Sequence, residues 1–283
     1  RLERAMSEQF GVEHALAVSS GTGALICALA ALGVGPGDEV IVPGYTFIAT
    51  ALAPLAVGAV PVIAEVDETL TLDPADVEAR CTRHTRAILA VHMLGLPCDL
   101  DALGAIARTR DIFLVEDAAQ AAGGSYRGRR FGSVADIGTL SFNHYKIISC
   151  GEGGAVLTND RRLHRRAMIY HDGGCVFFDD DARAEGLEFF AGNNYRVSEF
   201  QSAVMNVQLA RLDRILARLR KRKAAMLEIL RKSDALRPSR NNEAEGDCAS
   251  NIPLLFETPE AAKGFAEAFA EAGAFRPIAT DRH

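Results

Sequence analysis

The chain carries no surplus of positive charge: 31 Lys and Arg stand against 37 Asp and Glu, a formal net charge of -6 over 283 residues. A dedicated nucleic-acid binder is excluded on that ground, because no excess of cations is available to neutralise phosphates. The one basic run, Arg218 to Lys223, falls in a helical pattern and reads as a solvated face. No apolar stretch approaches the roughly 20 residues needed to cross a bilayer, and Arg1 to Ala5 reads as a charged helical start, not a signal peptide. Six cysteines (Cys27, Cys81, Cys98, Cys150, Cys175, Cys248) are scattered without a CxxC, which predicts reduced thiols in a cytoplasmic protein. The seven histidines show no HxH or HExxH spacing, so no metal site is expected. There is no GxSxG elbow, which removes the commonest serine hydrolase signature. There is no Gly-Lys-Ser/Thr of a P-loop, and Gly21 to Ile26 has Ile where a dinucleotide fingerprint needs a third small residue. An initiator Met is also missing, so the chain is expected to begin inside a longer polypeptide.

What is present is an ordinary globular composition, 48% hydrophobic and 24% charged, long enough for one large domain and part of a second. Helical patterns at Leu2 to Phe10, Ala24 to Leu32, Thr46 to Val57, Asp73 to Ala79 and Leu100 to Arg110 alternate with short apolar runs. Those runs, at Ala15 to Val18, Glu39 to Val42, Val60 to Val66, Ala87 to Val91, Ile112 to Val115 and Ile137 to Phe142, read as strands. Continuous apolar strands separated by helices predict an α/β fold with a mostly parallel sheet covered on both faces. Residues 1–212 are expected to form this large domain. From Phe200 to Leu236 the pattern is helical almost throughout, with Leu209, Leu212, Ile215, Leu216 and Leu219 as its apolar stripe. Ile252 to Phe256 reads as a strand that Pro253 confines to an edge or starts one residue later. Thr258 and Pro259 then open a last helix. One strand and one helix cannot bury an independent core, so 213–283 is expected to be a linking helix plus an incomplete α+β domain.

Three motifs fall at strand carboxyl ends, where ligands bind in such sheets, and a fourth on the loop after a strand. Lys146 lies on the loop after Ile137 to Phe142, ahead of Gly151-Glu152-Gly153-Gly154, and Asp117 ends an earlier strand. A lysine and a strand-end carboxylate are what a pyridoxal phosphate (PLP) enzyme needs: the amine bonds the cofactor aldehyde, and the carboxylate keeps the pyridine nitrogen protonated. Ser20-Gly21-Thr22 precedes a helix and suits a phosphate, though the same turn can simply be an N-cap. The Glu116-Asp117 pair can also bind Mg²⁺ or cap the next helix. Phe47 can stack on a cofactor ring or sit in the core.

In order, Ser20-Gly21-Thr22, Pro43-Gly44-Tyr45-Thr46-Phe47, His92 through Gly95, Glu116-Asp117-Ala118-Ala119-Gln120, Ser141 to Lys146, Gly151-Glu152-Gly153-Gly154 and Asn194-Tyr195-Arg196 resemble the DegT/DnrJ/EryC1/StrS family of PLP-dependent sugar aminotransferases. The match runs from about Glu3 to Leu212. The resemblance implies a fold-type I PLP transferase with a seven-stranded sheet. It implies that Lys146 bonds the cofactor and shuttles a proton, that Asp117 holds the pyridinium proton, and that Gln120 sits near the phenolic oxygen. Phe47 would stack on the ring, Thr22 and Ser141 would bind the phosphate beside Ser20 and Gly21, and Asn194 would reach it from a neighbouring subunit of a homodimer. The implied reaction passes an amino group from glutamate or glutamine to a keto-sugar, often nucleotide-linked, or to a keto-cyclitol. Residues Asn143 to Tyr145, Cys150 and His171 to Gly174 hint at a subgroup acting on ketosugars or inososes. Family members with His in place of Lys146 dehydrate sugars, so Lys146 favours transamination. The alternatives are a dehydratase or aromatising synthase of the same family, or a truncated ligand-binding paralogue.

Overall fold

The computed structural model describes residues 1–174, 189–233 and 236–273. Cys175 and the tail after residue 273 lie outside them. Seven strands form one sheet: β1 (His14–Val18), β2 (Glu39–Pro43), β3 (Val60–Ala64), β4 (Thr85–Val91), β5 (Phe113–Asp117), β8 (Ile137–Ser141) and β9 (Gly154–Thr158), in the order β1-β9-β8-β5-β4-β2-β3. Between β5 and β8, β6 (Ser125–Tyr126) and β7 (Arg129–Arg130) make a small antiparallel hairpin. All pairings in the large sheet are parallel except those of β9, which runs antiparallel to both β1 and β8. Strand β9 and the helix after it were not read from the sequence. The glycines before β9 mask a run of only five residues.

The inner strands are apolar along their whole length because both faces are covered. Alternate residues divide between two cores: Ile41, Ile88, Leu114 and Leu140 face one, and Val42, Leu89, Val115 and Ile137 the other. The second core is closed by α2 (Gly21–Ala31), α3 (Ala49–Ala56) and α6 (Arg161–His171). The first lies under α1 (Leu2–Phe10), α4 (Pro74–Arg80), α5 (Leu100–Arg110) and α7 (Glu199–Leu209). Helix α2 is apolar all round and buried from Gly23 onward, as an internal helix must be.

The long helix expected over Phe200 to Leu236 is two helices. After α7 the chain turns at Ala210 and Arg211, and α8 spans Leu212–Leu230. The turn lets Met205 and Leu209 on one side, and Leu212 and Leu216 on the other, enter the same core. The basic run on α8 is only partly a solvated face. Arg218, Lys221 and Arg222 are exposed, but Arg220 Nε donates to the Asp247 carbonyl at 3.0 Å and Lys223 pairs with the buried Asp247 carboxylate. Pro253 delays the late strand to β11 (Leu254–Leu255), which pairs with β10 (Arg237–Pro238). Helix α9 (Pro259–Glu271) follows, with Thr258 Oγ1 capping Ala261 N at 3.2 Å.

Candidate active site

Strand β5 extends two residues past its expected end, so Glu116 and Asp117 belong to the ladder itself. Asp117 pairs with Val91 on one side and Thr139 on the other. Because successive residues point to opposite faces, the two carboxylates enter different environments.

Asp117 is 4% exposed. Its Oδ1 accepts from Ala119 N at 3.1 Å and its Oδ2 from Thr50 Oγ1 at 3.0 Å. Thr46 Oγ1 lies 2.8 Å from Thr50 Oγ1. Neither threonine was given a site role from the sequence, where Thr46 entered only as part of the Pro43 to Phe47 motif and both fell inside a helix expected over Thr46 to Val57. That helix starts at Ala49 instead, after a loop through Thr46 and Phe47. Burial pushes the Asp117 carboxyl above its ordinary range, against the Ala119 N–H, the Thr50 hydroxyl and the charge of Lys146. A buried carboxylate with two donors among the described residues is poised to accept a cation.

Glu116 is the opposite case. Its Oε1 accepts from Val134 N at 2.7 Å and Ala135 N at 2.8 Å, and its Oε2 from Gly132 N at 2.8 Å. His92 Nε2 completes the set at 3.0 Å. His92 Nδ1 accepts from Cys98 N at 3.1 Å, so the ring proton sits on Nε2 and is donated to Glu116. Burial alone would raise this carboxyl, but the His92 and backbone donors outweigh it and hold the group below its usual range. Glu116 thus ties the 132–135 turn to β5. It is not half of a Mg²⁺ pair.

Lys146 occupies a loop pinned at both ends: Phe142 N donates to Gly153 O at 2.8 Å, and Cys150 N to Phe142 O at 3.1 Å. Within it, Lys146 N donates to Asn143 O at 2.9 Å, and Asn143 Nδ2 to Glu152 Oε1 at 2.6 Å. Burial lowers the Lys146 ammonium from its ordinary range, and the nearby Asp117 charge opposes that shift. The amine and the carboxylate therefore sense each other across the mouth of the sheet.

Ser20 caps α2, its Oγ accepting from Gly23 N at 2.9 Å. Ala24 N closes onto Ser20 O at 2.9 Å. The Gly21 and Thr22 N–H groups remain at the helix mouth. A Cβ on Gly21 would stand 2.6 Å from Ser141 Cβ, so the helix start and the end of β8 touch there. Ser141 itself is buried. Tyr195 closes the far side: its carbonyl accepts from Ser19 N at 2.7 Å, and its ring fills the space a side chain on Gly23 would take.

The other expected site residues are placed as follows. Gln120 Oε1 accepts from Leu94 N at 3.1 Å and its Nε2 lies 3.4 Å from Met93 Sδ. This fixes the amide with its N–H₂ as the donating end, one N–H of it turned onto the Met93 thioether. Phe47, on the loop after β2, is 62% exposed and belongs to neither core. Asn194 is exposed, its Oδ1 turned onto Arg196 N at 3.2 Å, and no described hydrogen bond links it to Lys146 or Asp117. A separate cavity of about 300 Å³ lies between α8 and the β10–β11 region, lined by Arg220, Lys223, Leu227, Pro238, Asp247 and Ile252. None of the expected site residues lines it.

These features fit PLP on their own terms. A helix start whose first N–H groups no described hydrogen bond takes up, beside a serine, suits a phosphate, a carboxylate short of described donors suits a pyridinium, and an amine pushed toward neutrality suits an aldehyde. With the sheet order, they define the fold-type I PLP class. The family profile of the DegT/DnrJ/EryC1/StrS aminotransferases matches residues 1–283, and the chain belongs to that family. It is 44% identical over 246 residues to an L-glutamine:2-deoxy-scyllo-inosose aminotransferase of Streptoalloteichus tenebrarius, covering 84% of this chain and 57% of that protein. The chain thus spans little more than half the length of that relative. The crystal structure of a 3-amino-5-hydroxybenzoic acid synthase superposes with a TM-score of 0.85 at 37% identity, covering 96% of this chain and 71% of the other. An E. coli GDP-4-keto-6-deoxy-D-mannose-3-dehydratase with bound hydrated PLP superposes with a TM-score of 0.86 at 26% identity, covering 99% and 77%.

Proposed function

We propose that this protein is a PLP-dependent aminotransferase that moves an amino group from glutamine or glutamate to a keto-cyclitol or keto-sugar. The observation that carries this reading is the placement of Lys146 and the donor-poor Asp117 at the same sheet edge as the α2 start and Ser141. Glutamine and a cyclitol of the inosose type are favoured because the relative at 44% identity carries that name. When bound, the cofactor supplies an electron sink for the bond broken at the substrate carbon. Lys146 would hold the cofactor, and its Nζ would move the proton at that carbon, a task that burial toward a neutral amine assists. Asp117 keeps the pyridine nitrogen charged, and Gln120 presents its N–H₂ to the phenolic oxygen. Gly21, Thr22 and Ser141 bind the phosphate, and Phe47 covers the ring.

The working unit is a homodimer in which Asn194 serves the neighbouring site. Two exposed apolar faces support this: Phe47, Ile48, Leu52 and Leu55 with Val60 and Ile63 of β3, and Phe200, Val204 and Val207 on α7. Such faces exceed the scattered apolar exposure normal for a monomer. The cytoplasmic location inferred from composition belongs to the same reading, supported by free thiols at Cys27, Cys81, Cys98, Cys150 and Cys248.

The test is a screen of inosose and keto-sugar acceptors with glutamine and glutamate as donors. Stoichiometric 2-oxo acid and an aminated product are expected, with Lys146→Ala slower by about 10⁴-fold or more, the upper range for a proton-transfer group. Turnover by Lys146→Ala at the wild-type rate would end the proposal. Sedimentation should show a dimer that Phe200→Asp weakens.

A further inference from the structure

Asp117 is held by a neighbour 67 positions away to which the proposed function assigns no role. Thr50 is 1% exposed, and its Oγ1 meets Asp117 Oδ2 at 3.0 Å. An ionised carboxylate only accepts, so Thr50 gives its single proton to Asp117. Its oxygen is then the acceptor for Thr46, 2.8 Å away, and the two hydroxyls are committed in one direction: Thr46 to Thr50 to Asp117. The β-branch of Thr50 restricts χ1, so its hydroxyl is aimed with little rotamer freedom. Its local setting gives no other reason for a threonine. It stands in the first turn of α3, in the run Ala-Thr-Ala-Leu-Ala-Pro-Leu-Ala, where an alanine would favour the helix more.

We propose that Thr50, backed by Thr46, is a positioning residue that sets the orientation of the Asp117 carboxylate and keeps it ionised for the pyridine nitrogen of bound PLP. The inference rests on the role of Asp117 in the proposed function. With Ala119 N on Oδ1 and Thr50 on Oδ2, the plane of the carboxylate is fixed by two donors from different elements. A remaining lone pair is then directed into the site. Without the hydroxyl, Oδ2 would lose its protein donor while staying buried, and the neutral acid would gain.

The test compares Thr50→Val, which keeps the shape and removes the hydroxyl, with Thr50→Ser, which keeps the hydroxyl, and with Thr46→Val. In cofactor-free protein labelled with ¹³C at aspartate carboxyls, the Asp117 signal is assigned by its loss in Asp117→Asn and followed with pH. Lys146, His92, Glu116 and Cys98 face or flank this carboxylate and are unchanged in all three variants. Thr50→Val should move the Asp117 titration upward, Thr46→Val should move it less, and Thr50→Ser should leave it near wild type. In the loaded enzyme, Thr50→Val should lower kcat about tenfold with little change in KM, the scale of one hydrogen bond to a charged group. Thr50→Ser should recover most of that loss. An unmoved Asp117 titration in Thr50→Val, or a Thr50→Ser variant as slow as Thr50→Val, would overturn the proposal. If Thr50→Val does not fold, Thr46→Val and Thr50→Ser still decide it by the same titration. Because the titration needs neither cofactor nor substrate, a shifted Asp117 in a protein without aminotransferase activity would support the role of Thr50 and count only against the proposed reaction.

Discussion

Glu116 and Asp117 are neighbours in the chain, both buried, and opposite in circumstance. On the Glu116 side of the sheet, three backbone N–H groups and His92 surround one carboxylate. On the Asp117 side, one backbone N–H and one hydroxyl do. The balance differs accordingly: the donors outweigh burial at Glu116 and hold its carboxyl below the ordinary range, whereas burial outweighs them at Asp117 and raises it. A saturated buried charge fastens a turn. An undersupplied one sits at a free-energy disadvantage that a cationic ligand relieves. The lesson is that burial alone does not mark a functional carboxylate. The count of described donors is what separates these two.

The comparison can be broken most directly through rate. Asp117→Asn should cut turnover by about 10³-fold, the scale of a single preorganised electrostatic partner, while the melting temperature of the cofactor-free protein holds or rises. A fall in that temperature would mean Asp117 is structural after all. Glu116→Gln should act in the reverse sense. Its amide would face the His92 and Gly132 donors, leaving two buried N–H groups unpaired at about 1–3 kcal/mol each. Denaturant unfolding should therefore show a loss of roughly 2–6 kcal/mol, and stability within 1 kcal/mol of wild type would refute the anchoring role.

A smaller effect is expected at the helix start. Gly21→Ala places a methyl 2.6 Å from Ser141 Cβ, an overpacking cost of about 1–3 kcal/mol. Cofactor titration should show affinity lowered by about tenfold or more, and unchanged affinity would separate the α2 mouth from the phosphate. The smallest effect is in the pH dependence of stability. Glu116 has a folded value below its unfolded one, so its contribution is present at neutral pH and is lost as pH falls through the folded value. Asp117 has a folded value above its unfolded one, so it contributes a loss of stability as pH rises through that window. Acid unfolding of the two amide variants should lose these opposite slopes separately.

The parallel strands were legible because strands buried on both faces are short, continuous apolar runs, as in Ala87 to Val91. Lys146, Asp117 and Ser20 were legible because each sits at a strand end or on a loop, where the local pattern breaks. Thr50 was not, because its meaning lies in a contact 67 residues away and its own surroundings read as an ordinary helix. The one trace it left was a polar β-branched residue inside an apolar helical run. His92 was visible within the resemblance, but its role depends on Cys98 and Glu116 meeting the two sides of one ring. Arg220 and Lys223 misled for a related reason: a run of bases on a helix does not reveal that Asp247 lies behind it. Strand β9 escaped because five residues after a glycine cluster carry no periodicity.

That last strand also sets an order of events during synthesis. Among the described residues β1 has one neighbour in the sheet, β9: His14 pairs with Thr158 and Val18 with Gly154. The turn at Ser20 leaves β1 directly, so it gains its ladder partner only when the ribosome has released residue 158. A nascent chain that already carries Asp117 and Lys146 still lacks an anchored turn at Ser20. Pairing over so many intervening residues is slow to form. A translating ribosome therefore exposes the hydrophobic helix α2 for more than a hundred residues before its floor exists.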